Sequence, residues 1–169
     1  MPKQQAFSFA RNPFHGLSVD NLSDDEARQV VALALAVLER QHRPGQAITH
    51  PDMVQAHLRL KLADYRNEVF GVIFLDNRHR IRADSELFQG TIDGASVYPR
   101  VVVQQALEHN AAAVILYHNH PSGVAEPSAA DELITKRIKA ALALVDIRVL
   151  DHLVVCAGES VSFAARGLI

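Results

Sequence analysis

The 169-residue sequence predicts an α/β fold in which a mixed β-sheet is flanked by helices. Short runs rich in β-branched and aromatic residues alternate with segments of helical composition, a pattern typical of α/β domains. The dipeptide Asp76-Asn77 joins two of these runs as a hairpin turn, so at least one strand pair is antiparallel and the sheet is mixed. Hydrophobic residues make up 49% of the chain and charged residues 21%, which fits one globular domain of ordinary size.

The N-terminal part of the chain predicts an arm followed by two helices. Residues 1–22 show no clear periodicity, and we expect an extended arm there. Ser23, with Glu26 three residues later, has the pattern of a capping box, and the Ala- and Leu-rich run 27–40 predicts the helix that follows. Pro51 predicts the start of a second helix, because proline suits the first helical turn.

The rest of the chain predicts strands and helices in alternation. The sequence EVFGVIFL at 68–75 has the apolar, β-branched composition of a buried strand. Pro99 opens a third helix, and a fourth helix is predicted over 128–144. The predicted strands are 68–75, 80–88, 111–118, 147–156 and 161–163.

Composition excludes several classes of protein. Cys156 is the only cysteine, which excludes an intrachain disulfide and a Cys-rich zinc finger. Lys and Arg total 17 and Asp and Glu total 19, and the net charge of −2 gives no overall attraction to nucleic acid or anionic membranes. The longest apolar run, 30–38, is far shorter than the ~20 residues of a membrane span, and the first residues lack the apolar core of a signal peptide. We therefore expect a cytoplasmic protein.

The densest chemistry lies in the sequence HNHPSG, which begins at His118. His118 and His120 stand two residues apart at the end of a predicted strand, so both imidazoles point to the same face of the sheet. Asp131 lies in the first turn of the next helix, from which its carboxylate can fold back onto the histidines. Two imidazoles and one carboxylate suit Zn²⁺ with a fourth position left for water, as in catalytic zinc sites.

Spacing alone leaves a second interpretation of these residues open. Ser128 and Asp131 also form a Ser-x-x-Asp capping pattern, and in that case the aspartate serves the helix terminus. An isolated histidine is more often a structural residue with a hydrogen-bond partner than a metal ligand. The residues by themselves therefore support both a metal site and a helix cap.

At these residues the sequence resembles the JAMM (JAB/MPN) metalloprotease signature, in the form found in RadC-family proteins. The motif comprises HNHPSG, followed by Ser128 and Asp131. The resemblance covers Ile48 to Ile169, and further matching stretches are 67–81, 86–100, 149–155 and 161–169. It implies a JAB/MPN domain at 48–169, with a curved mixed sheet flanked by helices and related to the cytidine-deaminase-like architecture. Residues 1–47 would form a separate arm and helix.

The resemblance also implies an activity and assigns roles to residues. It implies a zinc-dependent metallopeptidase or isopeptidase-type hydrolase, with Zn²⁺ bound by His118, His120 and Asp131. Glu68 matches the upstream glutamate that serves as general base toward the attacking water. Ser128 matches the serine that stabilises the oxyanion. Taken alone, Glu68 would more often be a surface salt-bridge partner, and only the wider match raises it to a catalytic candidate.

Two other function classes compete with a hydrolase. A zinc deaminase needs H-x-E and P-C-x-x-C, and the single cysteine excludes it. A DNA-associated accessory protein of repair or of mobile elements, with little catalysis, stays an alternative. Full-length RadC proteins carry a helix-hairpin-helix domain, and residues 1–47 contain no pair of helices around a Gly hairpin. We therefore expect a peptide or protein substrate, weak or no nucleic-acid binding and no membrane binding, whereas the oligomeric state and the substrate's identity stay open.

The remaining reactive side chains have structural interpretations beside the functional ones. Cys156 lies in an apolar strand and is expected to be an inert core thiol. His152 either supports the metal site through a hydrogen bond or makes a purely structural one. Arg78, Arg80 and Arg82 alternate along a predicted strand, where they could contact phosphate or be simply solvated.

Overall fold

The computed structural model describes residues 21–41, 45, 47–48, 51–90, 96–156 and 158–169. The helices are α1 (Asp24–Gln41), α2 (Pro51–Leu62), α3 (Pro99–Glu108) and α4 (Ala129–Ala143). The strands are β1 (Val69–Leu75), β2 (Ile81–Gln89), β3 (Ala113–Asn119), β4 (Arg148–Val155) and β5 (Ser160–Ser162). Residues 1–20 of the predicted arm lie outside the described residues. The chain divides into two units, Met1–Ala34 and Leu35–Ile169, and the division predicted between residues 47 and 48 stays a prediction.

Local sequence signals account for the ends of the helices. The backbone N–H of Ser23 donates to Glu26 Oε2 at 2.9 Å and the N–H of Glu26 donates back to Ser23 Oγ at 3.4 Å, which confirms the predicted capping box of α1. Helix α3 ends where Asn110 takes a positive φ of 50° and the N–H of Ala111 donates to the Ala106 carbonyl at 2.9 Å. Because this cap occupies residue 111, β3 begins later than predicted.

Within the described residues the sheet has five strands in the order β2-β1-β3-β4-β5. Strand β1 pairs antiparallel with β2 and with β3, β3 pairs parallel with β4, and β4 pairs antiparallel with β5. The predicted mixed sheet is therefore confirmed. Helix α4 makes the crossover between the parallel strands β3 and β4, so the C-terminal end of β3 and the start of α4 lie at the same edge of the sheet.

Each face of the sheet carries its own hydrophobic core. Phe70, Val72 and Phe74 alternate along β1 and pack with apolar side chains of α3 and α4. Ile73 and Leu75 point to the other face and pack with α2. The even-numbered positions of β3 share the face covered by α3 and α4, and His118 continues that series. The histidine pair therefore lies between the sheet and α4.

Within the part of the chain that the structure describes, every helix is too short or too polar to cross a bilayer.

Candidate metal centre

His118, His120 and Asp131 come together at the edge of the sheet where β3 ends and α4 begins. Their candidate ligand atoms all lie within 4.8 Å of one another. His118 Nε2 is 3.0 Å from His120 Nε2 and 3.2 Å from Asp131 Oδ1, and His120 Nε2 is 3.5 Å from Asp131 Oδ2. The three predicted metal ligands thus form one cluster, in which His118 is fully buried and His120 and Asp131 are partly open.

The start of α4 fixes the orientation of the Asp131 carboxylate. The backbone N–H and the hydroxyl of Ser128 each donate to Asp131 Oδ2 at 2.7 Å, and the N–H of Asp131 donates to Ser128 Oγ at 3.2 Å. This is a complete capping box. The cap and the metal-site interpretation are compatible, because the cap holds Oδ2 while Oδ1 faces His118.

The donor set fits a divalent cation. His120 Nδ1 lies 2.8 Å from the carbonyl oxygen of Val124, which can only accept, so Nδ1 carries the proton and the neutral ring keeps a lone pair on Nε2. That lone pair meets the carboxylate of Asp131 and the ring of His118. Acceptor atoms at these distances repel each other unless a proton or a metal ion lies between them. Two imidazoles and one carboxylate are the ligand set of catalytic zinc sites, which leave a fourth position open.

Contacts between the rings and the carboxylate shift the pKa values of this site. Burial acts to raise the pKa of Asp131, but the hydrogen bonds that the protonated rings of His118 and His120 can donate to the carboxylate outweigh it and hold the pKa well below its usual range. The Asp131 carboxylate, which can accept a hydrogen bond from the protonated ring, raises the pKa of His120, and the negative charge of Glu68 adds to that rise. Asp131 is therefore ionised at neutral pH.

Glu68 is half-buried and directly precedes β1, the neighbour of β3. In the β1–β3 pairing Phe70 lies opposite His118, so the antiparallel register brings Glu68 toward His120. The influence of its charge on the pKa of His120 agrees with this position. The structure thus brings Glu68 to the same edge as the three candidate ligands, and its role as general base stays a prediction.

Asn119, between the two histidines, ties the start of β1 to the end of β3. Its Oδ1 accepts from the backbone N–H of Val69 at 2.7 Å, and its Nδ2 donates to the carbonyl of Asn67 at 3.1 Å. The carboxamide therefore holds the backbone on both sides of Glu68. Sequence reasoning missed this role, although an asparagine inside a buried strand was a signal, because a buried amide needs partners.

Two further polar side chains lie behind His118. His152 Nε2 is 2.8 Å from His118 Nδ1, so His152 does contact a candidate metal ligand. On its other side, His152 Nδ1 is 2.6 Å from Oγ1 of Thr135 in α4. Sequence reasoning did not single out Thr135. Its signal was a hydroxyl one helical turn after Asp131, on the face of α4 that turns toward the sheet.

The other candidate side chains take structural roles. Cys156 is buried, as expected of a core thiol. The prediction that Arg78, Arg80 and Arg82 alternate along one strand is wrong, because β2 begins at Ile81 and, of the three, Arg82 alone lies within it. Asp76 closes the preceding turn by accepting from the N–H groups of Arg78 and Arg80 and pairs with the Arg80 guanidinium at 2.6 Å.

A mixed sheet flanked by helices, with an HxH pair at a strand end facing an aspartate in the next helix, is consistent with a JAB domain. The chain belongs to the RadC family, since the family model described as RadC-like JAB domain matches residues 48–168. The resemblance inferred from the motifs is thereby confirmed.

Named relatives are UPF0758 proteins. The chain is 63% identical to one from Nitrosococcus oceani over 132 residues, which are 78% of this chain and 59% of that protein. It is 66% identical to one from Thioalkalivibrio sulfidiphilus over 126 residues, 74% of this chain and 56% of that protein. A relative from Aeromonas hydrophila is 52% identical over 165 residues, 98% of this chain and 71% of that protein. The chain thus spans less than two thirds of the first two relatives, and these names state no activity.

Proposed function

We propose that this chain is a zinc-dependent hydrolase of peptide or isopeptide bonds. The observation that carries the proposal is the convergence of His118 Nε2, His120 Nε2 and the Asp131 carboxylate on one point with an open side. A zinc ion bound there would supply Lewis acidity that makes water a nucleophile at neutral pH. The family model that this chain matches is described as a RadC-like JAB domain. Two imidazoles and one carboxylate also form the ligand set of catalytic zinc sites.

Glu68 takes a proton from the attacking water and passes it to the leaving amine. Its half-buried position at the start of β1, close enough to His120 to raise the pKa of that ring, supports this role. Asn119 holds the backbone on both sides of Glu68, which limits the positions that the carboxylate can take. A positioned acid–base group contributes typically ~10²- to 10⁴-fold to a rate.

Ser128 stabilises the substrate's carbonyl oxygen as negative charge develops on it. Ser128 is exposed, and its hydroxyl donates to Asp131 Oδ2, as does its backbone N–H. The carboxylate therefore keeps one donor when the hydroxyl turns to the substrate. A single hydrogen-bond donor aimed at a developing oxyanion is worth about 10²- to 10³-fold in rate.

Zinc analysis of the purified protein tests the metal site. We expect one zinc per chain in the wild type and a large loss of affinity in Asp131→Asn, because a neutral amide is a poorer ligand for the dication. Glu132→Gln is the matched control, since it removes the same charge from the next residue of α4, where Glu132 pairs with exposed Lys136 at 3.3 Å. Equal zinc affinity in the two variants would contradict the proposed site.

A peptide-library screen followed by Glu68→Gln tests the hydrolase. We expect Glu68→Gln to bind zinc like the wild type but to lose about 10²- to 10⁴-fold in turnover, because the amide cannot accept the proton. The exposed Glu108→Gln on α3 is the control and should retain full activity. A protein that binds zinc yet cleaves no member of the library would favour the accessory-protein alternative, and a fully active Glu68→Gln would refute the mechanism.

A further inference from the structure

A continuous chain of buried hydrogen bonds leads from the metal centre into the core and back. It runs from His118 Nδ1 to His152 Nε2 at 2.8 Å, and from His152 Nδ1 to Thr135 Oγ1 at 2.6 Å. The Thr135 hydroxyl is also 2.5 Å from the backbone carbonyl oxygen of Asp131. His118 and Thr135 are each 1% exposed and His152 is 0% exposed, so solvent cannot replace any partner.

The direction of each hydrogen bond follows from one atom that can only accept. The Asp131 carbonyl has no proton, so the single hydroxyl proton of Thr135 points to it. His152 Nδ1 must then donate to Thr135 Oγ1, which leaves a lone pair on His152 Nε2. That lone pair accepts from His118 Nδ1, and the neutral His118 ring is left with a lone pair on Nε2.

We propose that Thr135 and His152 are positioning residues that set the tautomer of His118, so that its Nε2 lone pair faces His120 and Asp131. The inference rests on the proposed metal centre for its purpose, but the hydrogen-bond chain exists independently of any metal. Partners behind a ligating histidine commonly fix the ring and its tautomer, and their loss costs about 10- to 100-fold in metal affinity. Here the hydrogen-bond chain starts at one candidate ligand, His118, and ends on the backbone carbonyl of another, Asp131.

Removing the Thr135 hydroxyl should reverse the direction of the hydrogen bonds from His152 to His118. In Thr135→Val, His152 Nδ1 loses its acceptor, and a buried N–H without a partner is costly. The proton then moves to His152 Nε2, which donates to His118 Nδ1 and forces the proton of His118 onto Nε2. A ring protonated at Nε2 cannot ligate through that atom. Thr135→Ser is the matched control, because it keeps the hydroxyl.

The experiment records ring nitrogen chemical shifts of the metal-free protein by NMR at mildly alkaline pH. We expect His118 and His152 both to carry the proton on Nδ1 in the wild type and in Thr135→Ser, and on Nε2 in Thr135→Val. The wild-type spectrum needs no variant to fold, and a His118 protonated on Nε2 would overturn the proposal at once.

Zinc affinity, measured by competition with a chelator, gives the second readout. Thr135→Val should bind zinc about 10- to 100-fold more weakly than Thr135→Ser. Likewise, His152→Phe keeps a ring but no acceptor and should lose affinity, whereas His152→Gln keeps an amide oxygen for His118 and should restore most of it. Equal zinc affinities of Thr135→Val and Thr135→Ser, together with equal affinities of His152→Phe and His152→Gln, would refute the role of the hydrogen-bond chain. If even the wild type fails to bind zinc, the proposed function falls, and the NMR tautomers still decide whether the chain sets the His118 proton.

Discussion

Gly71 in β1 lies beneath the ring of Tyr117, the residue that precedes the metal-ligand candidate His118. The two residues are paired across β1 and β3. A Cβ added at Gly71 would lie 2.1 Å from Tyr117 Cζ and 2.3 Å from its hydroxyl oxygen, so the ring cannot stay in place. That hydroxyl donates to Asp84 at 2.7 Å and accepts from Lys61 at 2.9 Å. Gly71→Ala therefore displaces both the ring and its two charged partners.

The size of the effect follows from these contacts. Hydrogen bonds to charged groups contribute about 1.5–3 kcal/mol each, and overpacking a core costs about 1–3 kcal/mol. Lys61 and Asp84 keep 22% and 24% of their side chains exposed, so water offsets part of the lost hydrogen bonding. We expect Gly71→Ala to lower the free energy of unfolding by about 3–5 kcal/mol, or Tm by roughly 10 °C for a chain of this size.

Thermal unfolding followed by circular dichroism measures the change. Gly158→Ala is the matched control, because a Cβ there would have no atom of the other described residues within 4 Å, and it should stay within about 0.5 kcal/mol of the wild type. In a Tyr117→Ala background the ring is gone, so adding Gly71→Ala should cost little more. A Gly71→Ala protein as stable as Gly158→Ala, or an undiminished cost in the double variant, would refute this reasoning.

Three further predictions concern the metal, DNA and pH. Chelation should abolish hydrolysis but leave far-UV circular dichroism nearly unchanged, because two apolar cores hold the domain; loss of helical signal would mean a structural metal. With a net charge of −2, duplex DNA binding should be weak and fall steeply with salt, whereas a tight complex at physiological salt would favour the accessory-protein alternative. Burial acts to raise the pKa of Asp84, but contacts with His57, Lys61 and Tyr117 outweigh it and hold the pKa below its usual range. Its stabilisation is thus complete at neutral pH and is lost as pH falls below ~4, and Asp84→Asn should show a shallower acid dependence in urea unfolding.

The order of helices and strands could be predicted because their signals are local. Ser23 with Glu26 marks the start of α1, Pro51 and Pro99 stand at the first positions of α2 and α3, and Ser128 caps α4. Each signal acts through backbone groups within one helical turn. The signal for the two candidate histidine ligands is equally local, because a spacing of two in a strand puts both rings on one face.

Contacts between distant parts of the chain could not be predicted in the same way. His118 and His152 are 34 residues apart, and Thr135 and His152 are 17 apart. They meet only because β3 and β4 pair in parallel while α4 packs across them. No sequence periodicity carries this information, which depends on strand order and register.

An irregularity in β4 decides on which side of the sheet His152 lies. Val114 is paired with Val149, but Ile115 is paired with Asp151, so Leu150 is an extra residue in β4. Val149 packs in the core under α3 and α4, and strict alternation from there would turn residue 152 toward α2. The extra residue reverses the alternation, and His152 instead faces His118 and Thr135. The hydrogen-bond chain behind the candidate metal centre therefore depends on one bulge, because regular pairing onward from Val149 would put residue 152 opposite Tyr117, on the side of the sheet that α2 covers.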